Sequence, residues 1–485
     1  MAVDLRETLA AVHRRWSQVT VWHTAAFCSS LLYGMWLALR TTRSHFGLGT
    51  SAYDFGLYDQ GVWLLSQGKA PFVTLMGRNL FGDHTSFILL PLVPLYWLFG
   101  STGLLFVVQA AVLASGALPI WKLSKHLLGS QPMSCAAVLA YLLHPALTYT
   151  GLENFHPDAA LAPLIAWVLY AAVSYRWMQY AMAVVLILMV KEDTALFVMS
   201  LGAWVTIRRD RKIGLLTIAL SAWIGFLLLF VVMRGIVGVP YRNEWRLPFG
   251  GFGGLLRTTF TRPDKVLRHL VGGERPWYVV QLLAPAGFLV LLRPEVVLLG
   301  ALPLASNLVS TFWYQHQIEY HYAVQFVPIV VGGSVYAVSR VATHLRTWLV
   351  SALLACSVVC AAMWTPLPFM RVEYPSWSPS HPAVTAAHDA MDQIPADAVV
   401  SAFHTLTAHM ARRERIYAFP VPFRRVLYGP NVFAKGDRLP FADEVQYVVL
   451  PRNPEGETAS DWSLESGAFD VVYGNDWWTV YRRVR

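Results

Sequence analysis

The sequence contains little charge for its length. Only 14% of its 485 residues are Asp, Glu, Lys or Arg, and 55% are hydrophobic. An average soluble domain carries about 25% charged residues. Apolar stretches of membrane-crossing length recur through the first 366 residues. This composition excludes a large soluble enzyme and predicts an α-helical polytopic membrane protein.

The sequence also lacks the motifs of several common functional classes. The four cysteines lie in apolar segments without a Cys-x-x-Cys pair, so we expect neither disulfides nor a cysteine metal site. A Walker A loop, a Rossmann glycine fingerprint and a Gly-x-Ser-x-Gly elbow are all missing. No internal repeat is present, and the charged amphipathic start of the chain does not have the pattern of a cleavable signal peptide.

Apolar runs predict about eleven membrane spans, several of them short for a hydrocarbon core of about 30 Å. The expected spans are 18–40, 103–121, 133–150, 158–174, 177–190, 194–207, 213–236, 278–293, 295–312, 321–339 and 346–366. A further apolar run at 85–99 is short and contains two prolines. We interpret it as an interfacial or re-entrant helix.

Basic residues are in excess, but their distribution argues against binding to nucleic acid. The net charge is +9, and Lys and Arg cluster in short loops between apolar runs, as the positive-inside rule describes. If residues 85–99 do not cross the membrane, all of these basic clusters lie on the same side. We assign that side, together with the N-terminus, to the cytoplasm. The outer side then receives a first outer loop at 41–102, an outer basic loop at 237–277 and everything after residue 366.

The pattern of the chain changes near residue 380. Helix, short strand, helix and strand follow in turn, and two later segments at 445–452 and 469–484 read as further strands. A segment of about 100 residues is long enough for a small α/β domain. We therefore divide the chain into a transmembrane domain at 1–366, a proline- and serine-containing linker at 367–380 and an extracytoplasmic domain at 381–485.

Ionisable residues are concentrated in the outer loops. A charged group at the membrane is costly without a partner, so each is a candidate for function. Together they predict a shared, water-accessible outer cavity. The candidates are Asp54, Asp59, His84, Glu153, His156, Lys191, Glu192, Asp193, Arg242, Arg246, His316, Glu319, His321 and Tyr322.

Each candidate also has a structural interpretation. Asp54 and Asp59 are five positions apart, which in a helix separates them by about 140°, so they have different tasks, and one of them could be a helix cap. The Lys191–Asp193 triplet could be an internal ion pair. Asp158, beside a proline, fits the first turn of a helix. The outer arginines fit either a lipid-linked phosphate or a solvated amphipathic surface.

No cofactor is assigned by the sequence. A divalent cation is the one candidate, because His316 and Glu319 have the spacing of metal ligands on a helix turn. Nothing in the sequence defines the coordination number. Aromatic residues around these two offer flat faces for a glycan or a prenyl chain, so a lipid phosphate or sugar is the preferred partner.

Several segments, in order along the chain, resemble one known superfamily. They are DFGLYDQGVW, GDHTSFILLPLVPLY, ENFHPDAALAP, VKEDTALF, HYAVQFVPIV and, in the tail, VVSAFHTLTAHMARRERIYAFP. The sequence resembles the GT-C superfamily of integral-membrane glycosyltransferases, and most closely a bacterial branch known as predicted membrane protein of unknown function. The resemblance covers most of the chain and implies a multi-pass protein of the bacterial plasma membrane.

The resemblance also implies a reaction. A GT-C enzyme transfers a sugar from a polyprenyl-phosphate donor to an envelope glycan, lipid or protein acceptor on the outer face, usually with inversion. An acid in the first outer loop acts as base or orients the acceptor, and this role maps onto Asp54, with Asp59 as second choice. The sequence departs from this pattern in one respect. Familiar branches often have a directly adjacent pair of acids, or an acid next to a metal, whereas Asp54 and Asp59 are five positions apart.

Two other functions stay open. A transporter or flippase of a lipid-linked or small solute would explain charge within the membrane at Glu192 and Asp193, although the related halves typical of transporters are missing. A non-catalytic relative that binds lipid or a partner would need no base at all.

Overall fold

A computed structural model describes residues 20–237, 244–372, 378–429 and 434–484. The charged N-terminal stretch and part of the expected linker lie outside these residues. The α-helices of eight or more residues before residue 366 are Val21–Phe46, Leu57–Ser66, Leu104–Ser115, Ala117–Leu128, Gln131–Leu142, Pro145–Leu152, Leu161–Val173, Trp177–Leu188, Thr194–Arg208, Arg211–Leu227, Gly251–Thr261, Pro263–Leu270, Arg275–Leu283, Ala301–Val309, Phe326–Ser339 and Thr343–Trp364.

Short helical segments connect or extend these helices. They are Ala52–Gly56, Leu80–Asp83, Phe87–Leu92, Val93–Leu98, Pro157–Ala160, Leu228–Met233, Arg234–Val237, Glu244–Arg246, Ala284–Ala286, Leu289–Leu292, Pro294–Val297, Leu298–Gly300, Trp313–His316 and His321–Ala323. Local chemistry sets several boundaries. Ser130 caps a helix by accepting a bond from the Met133 amide, and Gly129 ends the preceding helix in the left-handed conformation.

The described residues contain four helices that are long and apolar enough to cross a membrane: Leu104–Leu128, Arg211–Ile236, His321–Ser339 and Thr343–Trp364. A bent pair, Gln131–Leu142 with Pro145–Leu152, makes five if it is one span. The protein is therefore a helical membrane protein, as expected. Several other expected spans are apolar helices of only 10–17 residues.

Two expected boundaries need correction. The run at 278–293 is not one helix, because Gly287 and Phe288 both have positive φ and break it. The basic segment at 121–126, expected as a cytoplasmic loop, is helical up to Leu128. The apolar segment Phe87–Leu98 is about 18 Å long as a helix, too short to cross the bilayer core, which agrees with an interfacial or re-entrant position.

The C-terminal part forms a small α/β unit, as the sequence predicts. Its helices are Pro382–Met391, His404–Thr407 and Gly456–Glu465. We number strands along the chain, with β1 (Phe72–Val73) and β2 (Arg78–Asn79) forming a hairpin in the first outer loop. The C-terminal strands are β3 (Val400–Ala402), β4 (Ile416–Ala418), β5 (Tyr447–Pro451), β6 (Phe469–Gly474) and β7 (Trp478–Arg483).

These five strands form a mixed sheet in the order β4-β3-β5-β7-β6. Strand β3 is parallel to both β4 and β5, whereas β7 is antiparallel to β5 and β6. The short helix between β3 and β4 provides part of the crossover that a parallel pair requires. The interior strand β3, between β4 and β5, is fully buried, consistent with a sheet that is covered on both faces.

The first outer loop and the C-terminal sheet share one hydrophobic core. Phe55 and Leu75 of the loop are buried in the same cluster as Val400 and Ile416 of the sheet. The Thr74 hydroxyl donates to the Ile416 carbonyl at 2.8 Å and accepts from the Ile416 amide at 2.9 Å. The C-terminal unit is therefore attached to the first outer loop and lies on the same side of the helical domain.

Candidate functional site

A cavity of about 490 Å³ lies where the outer loops meet the C-terminal unit. Ionisable and aromatic side chains from segments far apart in the chain line it. They include the predicted candidates Asp54, His84, His156, Lys191, Arg246, His321 and Tyr322, and also Tyr53, Tyr58, Arg78, Asp83, Asp158, Trp245, Phe312 and Arg425. The fold thus brings together seven candidates that the sequence spreads over its first two thirds.

Asp54 has a strained backbone. Its φ of 68° and ψ of −74° correspond to a γ-turn conformation that is rare for residues other than glycine. Strain of this kind is maintained by the surrounding fold and concentrates at functional sites. The side chain is 45% exposed, and its Oδ1 lies 3.5 Å from Nε2 of His156. The turn therefore directs a partly accessible carboxylate toward the cavity.

The electrostatic surroundings of Asp54 favour its ionised form. Enclosure in the protein opposes ionisation, but the neighbouring His156 and His321 outweigh this, so the pKa of Asp54 lies below its usual value. Asp54 is a carboxylate at neutral pH and has the protonation state required of a proton acceptor.

Glu153, His156 and His321 form a compact group beside Asp54. Glu153 Oε2 accepts a bond from the His321 amide at 2.7 Å and lies 3.1 Å from His321 Nδ1 and 4.0 Å from His156 Nδ1. The two imidazole rings are stacked, with centroids 3.7 Å apart. Burial raises the pKa of Glu153 to about 7, against the effect of His156. One donor atom from each residue lies within 4.8 Å of the others, so this group could hold a metal ion.

Lys191 and Glu192 are buried but paired. The Lys191 ammonium lies 3.7 Å from Asp158 Oδ1 and 3.8 Å from Asp193 Oδ2. Burial lowers the pKa of Lys191, yet the two acids outweigh burial and hold the pKa above its ordinary value. Lys191 is therefore a fixed cation on the cavity wall.

Glu192 lies behind this wall. It is 2.8 Å from His84 Nδ1 and accepts from the Thr85 amide at 3.1 Å. Burial opposes its ionisation, but His84 and Lys191 hold its pKa at about 2. The internal ion pairing considered for this triplet is thus present, extended by His84 and Asp158.

A second cation reaches the cavity from the outer basic loop. The Arg246 guanidinium donates to the Tyr322 hydroxyl at 3.4 Å and stacks on the Phe312 ring at 4.2 Å from its centroid. Among the described residues its buried Nε has no hydrogen-bond partner. Such a donor suits an anionic ligand. Arg242, the other arginine predicted in this loop, lies outside the described residues.

Comparison of the sequence with known protein families identifies the family of this chain. The family described as predicted membrane protein (DUF2079) matches residues 44–483. The chain belongs to this family. The description records no activity, and no protein of curated function matches the sequence.

Two solved structures are similar to this member of the predicted membrane protein (DUF2079) family. ArnT from Cupriavidus metallidurans bound to undecaprenyl phosphate has a TM-score of 0.55 and 12% identity, over 94% of this chain and 98% of that chain. The same protein in the apo state has a TM-score of 0.55 and 13% identity, over 96% and 98%. This similarity confirms the GT-C-like fold expected from the sequence. At this identity it is evidence of fold alone.

Asp59 does not face the cavity. Its side chain has no exposed surface and accepts bonds from Arg412 Nε at 3.1 Å and from the Tyr96 hydroxyl at 2.7 Å. Burial raises the pKa of Asp59, against the effect of Arg412. Because a fully enclosed carboxylate cannot reach a substrate, this position argues against the catalytic role expected for Asp59. Its pairing with Arg412 joins the first outer loop to the C-terminal unit.

Three other candidates do not line this cavity. Asp193 lines a neighbouring space of only about 20 Å³, together with Asp158 and Tyr322. His316 is buried at the end of the short helical segment Trp313–His316, and Glu319 is exposed. The group of three possible metal ligands within the described residues contains Glu153, His156 and His321 rather than His316 and Glu319.

Sequence reasoning missed several members of the site. Asp158 lies in the first turn of a helical segment, as expected, but it also lines the cavity and pairs with Lys191. Arg78 and Asp83 lie 3.3 Å apart on the same wall. Arg425 comes from the C-terminal unit, and nothing around it in the sequence indicates that this unit folds back over the outer loops.

Proposed function

We propose that the chain is a membrane glycosyltransferase. It moves a sugar from a polyprenyl-phosphate-linked donor to a hydroxyl of an envelope glycan, lipid or protein acceptor. The observation that carries this proposal is the pairing, in one cavity, of the strained and accessible Asp54 carboxylate with the cations Lys191 and Arg246. A GT-C-like fold and the undecaprenyl phosphate bound to the similar ArnT add support.

The cations suit the donor phosphate. Lys191 is kept charged by Asp158 and Asp193, and Arg246 offers guanidinium donors beside aromatic rings. Arg425 adds a further guanidinium to the lining, whereas Arg78 is paired there with Asp83. When the bond between the anomeric carbon and the phosphate oxygen breaks, that oxygen keeps the electron pair. Fixed cations stabilise the charge that develops there.

Asp54 suits the acceptor. Its carboxylate removes the proton from the acceptor hydroxyl as that oxygen attacks the anomeric carbon. Oδ1 is oriented by His156, which leaves the exposed part of the carboxylate for the acceptor. A single displacement of this kind inverts the configuration at the anomeric carbon.

The reaction takes place, in this proposal, on the outer face of a bacterial plasma membrane. The basic clusters of the sequence support a cytoplasmic N-terminus. The attachment of the C-terminal unit to the first outer loop supports an extracytoplasmic position for both. A reporter fused after residue 485 should therefore be active outside the cytoplasm.

A transfer assay tests the proposal. Purified protein is incubated with undecaprenyl-phosphate-linked sugars and membrane extract as acceptor, and released undecaprenyl phosphate is measured by mass spectrometry. We expect release by the wild type and a loss of at least 100-fold in Asp54→Asn, the range of general-base catalysis. Unchanged release in Asp54→Asn would show the base assignment to be wrong. Solute flux in proteoliposomes that Glu192→Gln abolishes, without sugar transfer, would favour a transporter instead.

A further inference from the structure

Two histidines and one glutamate bring possible metal-ligand atoms close together beside the cavity. Glu153 Oε2 lies 3.1 Å from His321 Nδ1 and 4.0 Å from His156 Nδ1. One donor atom from each residue lies within 4.8 Å of the others. The three residues come from the loop after Leu152 and from the turn before Phe326, so the fold assembles the group rather than a local sequence motif.

Two observations mark this group as more than a buried polar cluster. Nδ1 of His156 is buried and has no hydrogen-bond partner among the described residues, and an unsatisfied buried nitrogen is costly. The Glu153 carboxylate is held by the His321 amide at 2.7 Å, so its position is set before any ligand arrives. A metal ion would satisfy the free nitrogen and use the held carboxylate.

The outer surroundings match those of protein metal sites. A metal-ligating histidine almost always gives its second ring nitrogen to a carboxylate or carbonyl, which orients the ring. His156 has that arrangement, because its Nε2 lies 3.5 Å from Asp54 Oδ1. His156 and His321 also line the cavity, which leaves space for a fourth ligand from solvent or substrate.

We propose that Glu153, His156 and His321 form a binding site for a divalent transition-metal ion of the zinc type. Two imidazole nitrogens and one carboxylate oxygen suit zinc and its late first-row neighbours, whereas magnesium and calcium take mainly oxygen ligands. Three protein ligands with an open fourth position are the arrangement of an accessible zinc site rather than of a closed structural one. The site does not depend on the proposed glycosyl transfer.

Binding requires a small local movement. With bonds of about 2.0–2.2 Å, the donor atoms of a tetrahedral site lie about 3.3 Å apart. The distance between Glu153 and His321 already has this value, and His156 Nδ1 has to approach Glu153 by less than 1 Å, starting from 4.0 Å. The stacked rings of His156 and His321 also have to turn, so that a nitrogen of each faces the ion.

A metal-binding measurement on the full-length protein tests the site. Protein purified in detergent and stripped with a chelator is loaded with ZnCl₂ alone, separated from free metal and analysed for zinc content. We expect one zinc ion per chain. Loss of a group that only orients a metal ligand weakens metal binding by about 10- to 100-fold. His156→Ala and His321→Ala remove ligands themselves and should each weaken zinc binding by more than this. Asp54→Asn removes a group that orients His156, so it should weaken zinc binding by about 10- to 100-fold.

His316→Ala is the matched control, because His316 is buried nearby but lies outside the group, and its zinc affinity should equal that of the wild type. X-ray absorption at the zinc edge needs no variant and should show two imidazoles and a carboxylate oxygen. Equal zinc retention by wild type and the His156→Ala/His321→Ala double variant, or a zinc shell without imidazole, would overturn the proposal. If the double variant loses zinc binding but still transfers sugar, the metal site is supported and the proposed function is unaffected.

Discussion

Oδ1 of Asp54 and Nε2 of His156 lie 3.5 Å apart, although the two residues come from separate outer loops. This contact joins the strained turn of the first loop to the cluster of Glu153, His156 and His321. It leaves the carboxylate 45% exposed, so Asp54 is both oriented and accessible. Asp59, in the same short segment, is also oriented, by Arg412 and Tyr96, but its side chain has no exposed surface.

The first prediction separates these two acids. Asp54→Asn should lose at least 100-fold in sugar transfer, because an amide cannot accept the acceptor's proton, while the unfolding temperature changes little. Transfer is followed by release of undecaprenyl phosphate and unfolding by intrinsic fluorescence in detergent. Glu319→Gln is the matched control, since Glu319 is an exposed acid that does not line the cavity.

Asp59 should affect stability rather than chemistry. Asp59→Ala leaves the Arg412 guanidinium without its carboxylate, and breaking a buried pair of this kind costs about 3–5 kcal/mol. We expect a lower unfolding temperature and faster proteolysis of the C-terminal unit. The double variant Asp59→Leu/Arg412→Met should recover part of the loss, because no buried charge is then left unpaired. A single variant as stable as the wild type would contradict this role.

The third prediction concerns the donor phosphate. Arg246→Gln removes a charge-assisted hydrogen bond worth about 1.5–3 kcal/mol, so undecaprenyl phosphate should bind about 10- to 100-fold more weakly. Binding can be measured by native mass spectrometry or by microscale thermophoresis. Arg268→Gln is the control, because Arg268 belongs to the same outer basic loop but is 71% exposed and paired with Asp264. Equal losses in both variants would indicate a general charge effect.

The pairing of Glu192 with His84 predicts a dependence of stability on pH. The pKa of Glu192 is held at about 2, below its ordinary value of 4.5. Its contribution to stability is therefore complete above about pH 4.5 and is lost as the pH falls toward 2. Glu192→Gln should be less stable than wild type at pH 7, and the difference in unfolding temperature should narrow below pH 4.5. A difference that stays constant from pH 7 to pH 3 would contradict the shifted pKa.

Much of the cavity could be anticipated because charged groups stand out in apolar sequence. His84, His156 and Lys191 were conspicuous for that reason. The sequence around Arg78 and Arg425 gives no sign of a shared site, and only the folded arrangement places them on the cavity. Helical spacing separated Asp54 from Asp59, but it could not say which one faces the cavity. That outcome depends on the positive φ of Asp54, a conformation with no signal in the sequence.

The fold was predictable at the level of class and less so in its boundaries. Apolar composition indicated a helical membrane domain, and alternation indicated the C-terminal strands. Hydropathy does not show where a helix breaks, and so 278–293 was expected to be one span although Gly287 and Phe288 interrupt it. The pairing of Asp59 with Arg412 joins two residues that are 353 positions apart, and local patterns contain no information about such distant contacts.

The most direct test of the central claim is a structure of the full-length protein in lipid nanodiscs with saturating undecaprenyl phosphate, determined by electron cryomicroscopy. We predict phosphate density in the cavity, within about 3 Å of the Arg246 guanidinium or the Lys191 ammonium, with the Asp54 carboxylate facing the same space. Lipid phosphate bound elsewhere on the protein, with no phosphate density in the cavity, would contradict the account.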